Sequence, residues 1–138
     1  MDRQLKVLLI EDSEDDATLI LHELAHGGID VDHERVFTTG AVRDALARRE
    51  WDLILADHAM PGTCSLEALT ICKESKVEAP FIIVSGWMTE ELAESAVKEG
   101  ARGFVPKNRL ALLVPMVKKE LARSGTAKRP AKKAKKSR

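Results

Sequence analysis

"WDLILADHAMPG", residues 51–62, is an apolar, strand-like run that ends on Asp57, with a turn signal at Met60-Pro61-Gly62 directly behind it. A carboxylate at the end of so apolar a run needs partners, because burying an unpaired charge is expensive. Four other apolar runs lie along the chain: "LKVLLI" (5–10), "VDHERVF" (31–37), "FIIV" (81–84) and "GFV" (103–105). All but 31–37 are near-continuous, as expected of central strands covered on both faces. The run at 31–37 alternates more and is expected nearer an edge.

Helical patterns separate these runs. Ala17, Ile20, Leu21 and Leu24 follow helical spacing after Ser13, an N-cap candidate with Asp16 at the capping-box distance. Gly27-Gly28 stops that helix. Val42, Ala45, Leu46 and Arg49 form one stripe behind a Thr38 or Thr39 cap. "SLEALTICKES" and "TEELAESAVKEG" repeat the arrangement, the second capped by Thr89 and ended by Gly100. Pro115 lacks an N–H and suits a first helical turn, so 110–113 reads as a loose turn before a final helix starting near Pro115. Strand and helix thus alternate five times. That order predicts an α/β fold, a doubly wound parallel sheet of five strands flanked by five helices (flavodoxin-like). Ligands of such sheets bind outside the carboxyl ends of the strands.

Those ends carry Glu11-Asp12, Asp57, Ser85-Gly86 and, after Pro106, Lys107. Three carboxylates brought together repel, and partial burial raises the cost of ionising them. A divalent cation relieves this, and Mg²⁺ suits carboxylates, waters and a phosphate oxygen. With the Lys107 ammonium, the set forms a place where a phosphoryl group can sit beside a carboxylate nucleophile. Taken singly, each residue has an ordinary explanation as a cap, a turn residue or a solvated charge. For Asp15 and Asp16 the ordinary one is preferred: they are acids favoured at a helix N-terminus.

The motifs "LLIEDSEDD", "LILADHAMPG", "FIIVSG" and "EGARGFVPK" resemble, as an ordered set, the receiver domains of two-component response regulators. The likeness covers roughly residues 5–121. It implies a phosphoacceptor switch in which Asp57 takes a phosphoryl group from the phosphohistidine of a sensor histidine kinase or phosphotransfer protein. It implies Mg²⁺ held by Asp12, Asp57 and the Ala59 backbone carbonyl, with Glu11 acting through water. Ser85 and Lys107 would bind phosphoryl oxygens, and Gly86 would leave room for them. Phe104 sits where the family has an aromatic that turns inward as Ser85 moves. Output would pass through the surface near the fifth strand and the fourth and fifth helices to a downstream protein target. Trp87 and Ala59 are expected to rim the phosphate. The chain departs from the family in having Asn108 after the lysine, where proline is usual, so a trans bond is expected, with Lys107 aimed by Pro106. It also has Ser65 where glycine is common, and Phe104 lacks a hydroxyl.

Other chemistries fit less well. A flavin site calls for a Ser/Thr/Gly-rich phosphate loop after the first strand, where this chain is acidic. A phosphatase of the aspartyl-phosphate type calls for a second Asp at position 59, which is Ala59. No Walker-type phosphate loop occurs. The reading is therefore of a signalling phosphoacceptor, not a turnover enzyme.

At 138 residues the chain suits one domain, expected over 1–123, with a basic tail over 124–138 expected to be disordered. Residues 1–123 hold all 22 acids against 15 of the 22 cations, a net of −7, and the tail holds seven cations and no acid. Its "KRPAKKAKKSR" admits weak, sequence-independent nucleic-acid or anionic-surface binding, folding back on the acidic globule, or simple solvation. No apolar run reaches the ~20 residues of a membrane span and no secretory signal precedes the first strand, so a cytoplasmic protein with no membrane insertion is expected. Cys64 and Cys72, without metal-ligand neighbours, read as reduced thiols.

Overall fold

A computed structural model describes residues 4–60, 63–86 and 89–124, without the side chains of residues 59, 60, 63–65 and 124. Trp87, the Pro61-Gly62 turn and all but the first residue of the basic tail lie outside the described residues. The elements run β1 (Leu5–Ile10), α1 (Glu14–His26), β2 (Val31–Val36), α2 (Thr39–Arg48), β3 (Leu53–Ala56), β4 (Ala59–Met60), β5 (Thr63–Cys64), α3 (Ser65–Glu74), β6 (Phe81–Ser85), α4 (Glu90–Lys98), β7 (Gly103–Pro106), a 3-10 segment (Lys107–Leu112) and α5 (Leu113–Ser124). Five strands form one sheet in the order β2-β1-β3-β6-β7. Every pairing within it is parallel.

Strand alternation builds two cores from one sheet. Leu5, Val7 and Leu9 of β1 face Ala17, Ile20 and Leu24 of α1 and Leu113, Val117 and Leu121 of α5. Leu8 and Ile10 face the other way, with Val42 and Ala45 of α2, Ala68 and Leu69 of α3 and Ala96 of α4. The central strands β1, β3 and β6 are therefore apolar at almost every position, as expected when helices cover both faces. Side chains fix the helix starts: Ser13, Thr38 and Thr89 each accept a hydrogen bond from the N–H three residues on.

Several expectations need correction. The near-continuous run at 103–105 predicts a central strand, yet β7 is an edge strand in which only Val105 is fully buried. Pro106 closes it and has no N–H to offer a further neighbour. Arg49 is not on the α2 stripe. The helix ends at Arg48, and Arg49 turns extended, with its guanidinium 4.5 Å over the Trp51 ring and 2.9 Å from Asp32. The planar cation covers the aromatic face while keeping its charge paired. Beyond the turn expected at 60–62, β4 and β5 pair as a short antiparallel hairpin. The final helix begins at Leu113, putting Pro115 in its first turn, after a 3-10 segment broken at Arg109 (φ −138°, ψ 50°). Cys72 is buried in α3 and unbonded. The Cys64 side chain lies outside the described residues.

Candidate functional site

The parallel order brings the carboxyl ends of β1, β3, β6 and β7 to one edge of the sheet. β1 delivers Glu11 and Asp12, β3 delivers Asp57, β6 ends on Ser85, and Lys107 follows β7 immediately. Backbone bonds extend the ladder to these residues: Glu11 N–H donates to the Val36 carbonyl and Asp57 N–H to the Ile10 carbonyl, both at 2.9 Å. The loops therefore start from rigid strand ends. Asp52, the buried aspartate at the opposite end of β3, accepts from the Lys6 N–H at 2.9 Å instead.

Carboxylate oxygens of Glu11, Asp12 and Asp57 lie within 4.8 Å of one another, with Glu11 and Asp57 buried and Asp12 exposed. Lys107 Nζ lies 2.8 Å from Glu11 Oε1, 2.7 Å from Asp16 Oδ2 and 3.0 Å from Asp57 Oδ2. Glu11 Oε2 accepts from the Ser13 N–H at 3.1 Å, while Oε1 has the Lys107 charge beside it but no hydrogen bond of good geometry. Burial pushes the Glu11 carboxyl up from 4.5 to about 7, although Lys107 and the Ser13 N–H act against that rise. For Lys107, burial pulls the ammonium down, but the negative charges of Asp16, Glu11 and Asp57 around it together outweigh burial and hold it above its usual range. Arg35 of β2 donates to the carbonyls of Glu11 (3.1 Å) and Asp12 (3.3 Å), pinning the acidic loop from the side.

Ser85 is fully buried, at the level of Pro106 in the neighbouring strand. Gly86 is exposed, and among the described residues beyond its chain neighbours a Cβ there meets nothing nearer than Lys107 Cδ at 3.9 Å. Phe104 is half-buried and packs on the core beneath α2, α3 and α4. Among the described residues no peptide bond is cis, so the Lys107–Asn108 bond is trans, and Pro106 precedes the lysine at φ −70°. Ala59 opens β4 two residues after Asp57.

From the sequence, Asp16 belongs to the helix start, as a first-turn acid at the capping-box distance from Ser13, but its carboxylate binds Lys107. Its backbone N–H does serve the Ser13 cap at 3.1 Å, so only half of the capping box forms. A run of three acids in a first turn gives no signal as to which one turns inward. One motif went unread: "HELAH", 22–26, has the spacing of a zinc-protease helix. His22 and His26 are stacked on the exposed side of α1, and no third ligand joins them among the described residues.

Residues 7–118 match the sequence profile of the response regulator receiver domain. The chain belongs to that family. The receiver domain is 27% identical over 107 residues to the response regulator protein PilR of Pseudomonas aeruginosa, covering 78% of this chain and 23% of that protein. It thus spans between 15% and 25% of the length of the curated relatives it matches. Its backbone superposes with a TM-score of 0.79 on the signal receiver domain of a LuxO-type repressor from Vibrio parahaemolyticus, at 24% identity, covering 91% of this chain and 96% of that one. The receiver domain of a sensor histidine kinase from Pseudomonas aeruginosa PAO1 gives 0.72 at 18% identity, covering 87% and 99%, and that structure has a magnesium ion coordinated in its active-site cleft. These likenesses establish the five-stranded receiver fold. Among the described residues, no helix is long and apolar enough to cross a membrane.

Proposed function

We propose that this receiver domain is a phosphoacceptor switch whose nucleophile is Asp57. The observation that carries the reading is the Lys107 ammonium, 3.0 Å from Asp57 Oδ2 in a pocket with Glu11 and Asp12. An Asp57 carboxylate oxygen attacks the phosphorus of a donor phosphohistidine. The P–O bond forms as the P–N bond breaks, and imidazole leaves. Such transfers need positioning and charge neutralisation more than covalent assistance.

The donor set fits Mg²⁺. Hard carboxylate oxygens converge, and a buried carboxyl pushed up to about 7 is a group that a divalent cation stabilises in its charged form. Asp12, Asp57 and the Ala59 carbonyl would hold the ion directly, with Glu11 through water. When bound, the ion supplies positive charge for the approaching phosphoryl oxygens.

The rest of the work falls to this chain. Lys107 holds one phosphoryl oxygen and the Ser85 hydroxyl another. Gly86 leaves the approach open. Movement of Ser85 toward the phosphoryl group is followed by Phe104, which repacks the surface around β7, α4 and α5 for a downstream protein. The donor is a sensor histidine kinase or phosphotransfer protein. The switching unit is residues 1–123, and the domain is spent once per phosphorylation cycle rather than turning over substrate. The test is incubation with a small-molecule phosphodonor and Mg²⁺, followed by mapping of the modified residue. Modification at Asp57 supports the reading, and modification elsewhere defeats it.

A further inference from the structure

An ammonium has three N–H donors. In the resting receiver, three carboxylates already surround Lys107: Asp16, Asp57 and Glu11. Its hydrogen bonds go to Asp16 and Asp57, while Glu11 adds a charge at 2.8 Å without a hydrogen bond of good geometry, so an arriving phosphoryl oxygen must share an ammonium that carboxylates already hold. Glu11 and Asp57 leave strand ends, are almost wholly buried, and belong to the carboxylate group suited to a cation. Asp16 differs on each count. It comes from the first turn of α1, its side chain is 37% exposed, and it lies outside that group. Its contact with Lys107 is nevertheless the shortest of the three, at 2.7 Å.

We propose that Asp16 is an internal rival of the phosphoryl group: it holds Lys107 in the resting state and competes with a phosphoryl oxygen for that ammonium. The inference rests on the Asp57 phosphoacceptor reading. Its physical basis is charge. The pocket collects four carboxylates (Glu11, Asp12, Asp16, Asp57) around one ammonium, and an arriving phosphoryl group adds more negative charge. Of the three carboxylates paired with Lys107, Asp16 is the most exposed, so it is the one that yields. Asp16 is thus a positioning residue acting through Lys107, and it lowers the occupancy of the phosphorylated form.

The experiment is titration of the full chain with beryllofluoride, a phosphoryl mimic, in saturating Mg²⁺. Asp16→Asn should bind roughly two- to five-fold tighter than the parent, the range expected for a partly exposed ion pair. Asp15→Asn removes the same charge one residue away on an exposed side chain and should change nothing. In a Lys107→Gln background, Asp16→Asn should also change nothing. Unchanged or weaker binding by Asp16→Asn overturns the inference. So does an equal gain from Asp15→Asn, or a gain that persists without Lys107. If the parent protein itself fails to bind the mimic, the phosphoacceptor reading falls and takes this inference with it. The two failures are therefore told apart by the parent titration alone.

Discussion

Glu11 is the residue whose charge the site supports least well. Burial lifts its carboxyl from 4.5 to about 7, so the folded protein keeps a proton that the unfolded chain has lost. Its stabilising contribution is complete below about 4.5 and is lost as pH rises through about 7. Denaturant midpoints of the metal-free protein should therefore fall across that window, and Glu11→Gln should flatten the fall. Mg²⁺ binding needs the carboxylate form, so Mg²⁺ affinity should rise over the same window with release of a proton, measurable by calorimetry in buffers of different ionisation heat. A fall in Mg²⁺ affinity with rising pH would contradict this. Cys72 sits at the other extreme: burial alone raises its thiol to about 12, so alkylating reagents should reach it only on unfolding. At this scale the sequence was readable where a residue leaves a strand, because the strand dictates its direction. Asp57, Glu11 and Lys107 were found that way. Asp16 was not, since the inward member of a Glu14-Asp15-Asp16 run is decided by a contact with a residue 91 positions away.

The elements were legible for a related reason. Near-continuous apolar runs of four to six residues mark strands covered on both faces, and β1, β3 and β6 have that pattern and that place. β7 misled because three apolar residues look alike at an edge and at a centre. Two glycines illustrate how the helices seat. A Cβ at Gly27, the C-cap of α1, meets Val114 methyl carbons of α5 at 2.6 and 2.7 Å, whereas one at Gly103 of β7 meets the Met116 sulfur at 2.7 Å. Valine is stiff at χ1 and methionine is flexible, so the same added methyl has different consequences. Gly27→Ala should destabilise by about 1–3 kcal/mol through overpacking, and Gly103→Ala by clearly less. Denaturant midpoints check the ranking. Equal losses would show that α5 moves as a unit and that side-chain stiffness is not what decides.

Across the whole molecule, charge is the property most easily read and least assigned. Residues 1–123 carry a net −7 and residues 124–138 carry +7. Composition reveals that partition without any fold, but it names no partner, because net charge alone specifies no geometry. If the tail is an anchor for nucleic acid, the full chain should bind duplex DNA without sequence preference. Binding should be weak at physiological salt, at or beyond about 10⁻⁴ M, and should fall steeply with added salt. A chain ending at Arg123 should not bind. Equal affinity for both, or none at low salt, removes that role. If the tail rests on its own acidic globule, phosphorylation should tighten that contact and weaken binding to any anionic partner.

The phosphoacceptor assignment is tested most directly by labelling with a small-molecule phosphodonor and Mg²⁺, comparing the parent chain with Asp57→Asn. The substitution keeps the shape of the strand end while removing the nucleophilic charge. The parent should carry acid-labile, Mg²⁺-dependent label and Asp57→Asn none, with both proteins unfolding cooperatively. Undiminished label on a folded Asp57→Asn chain would contradict it.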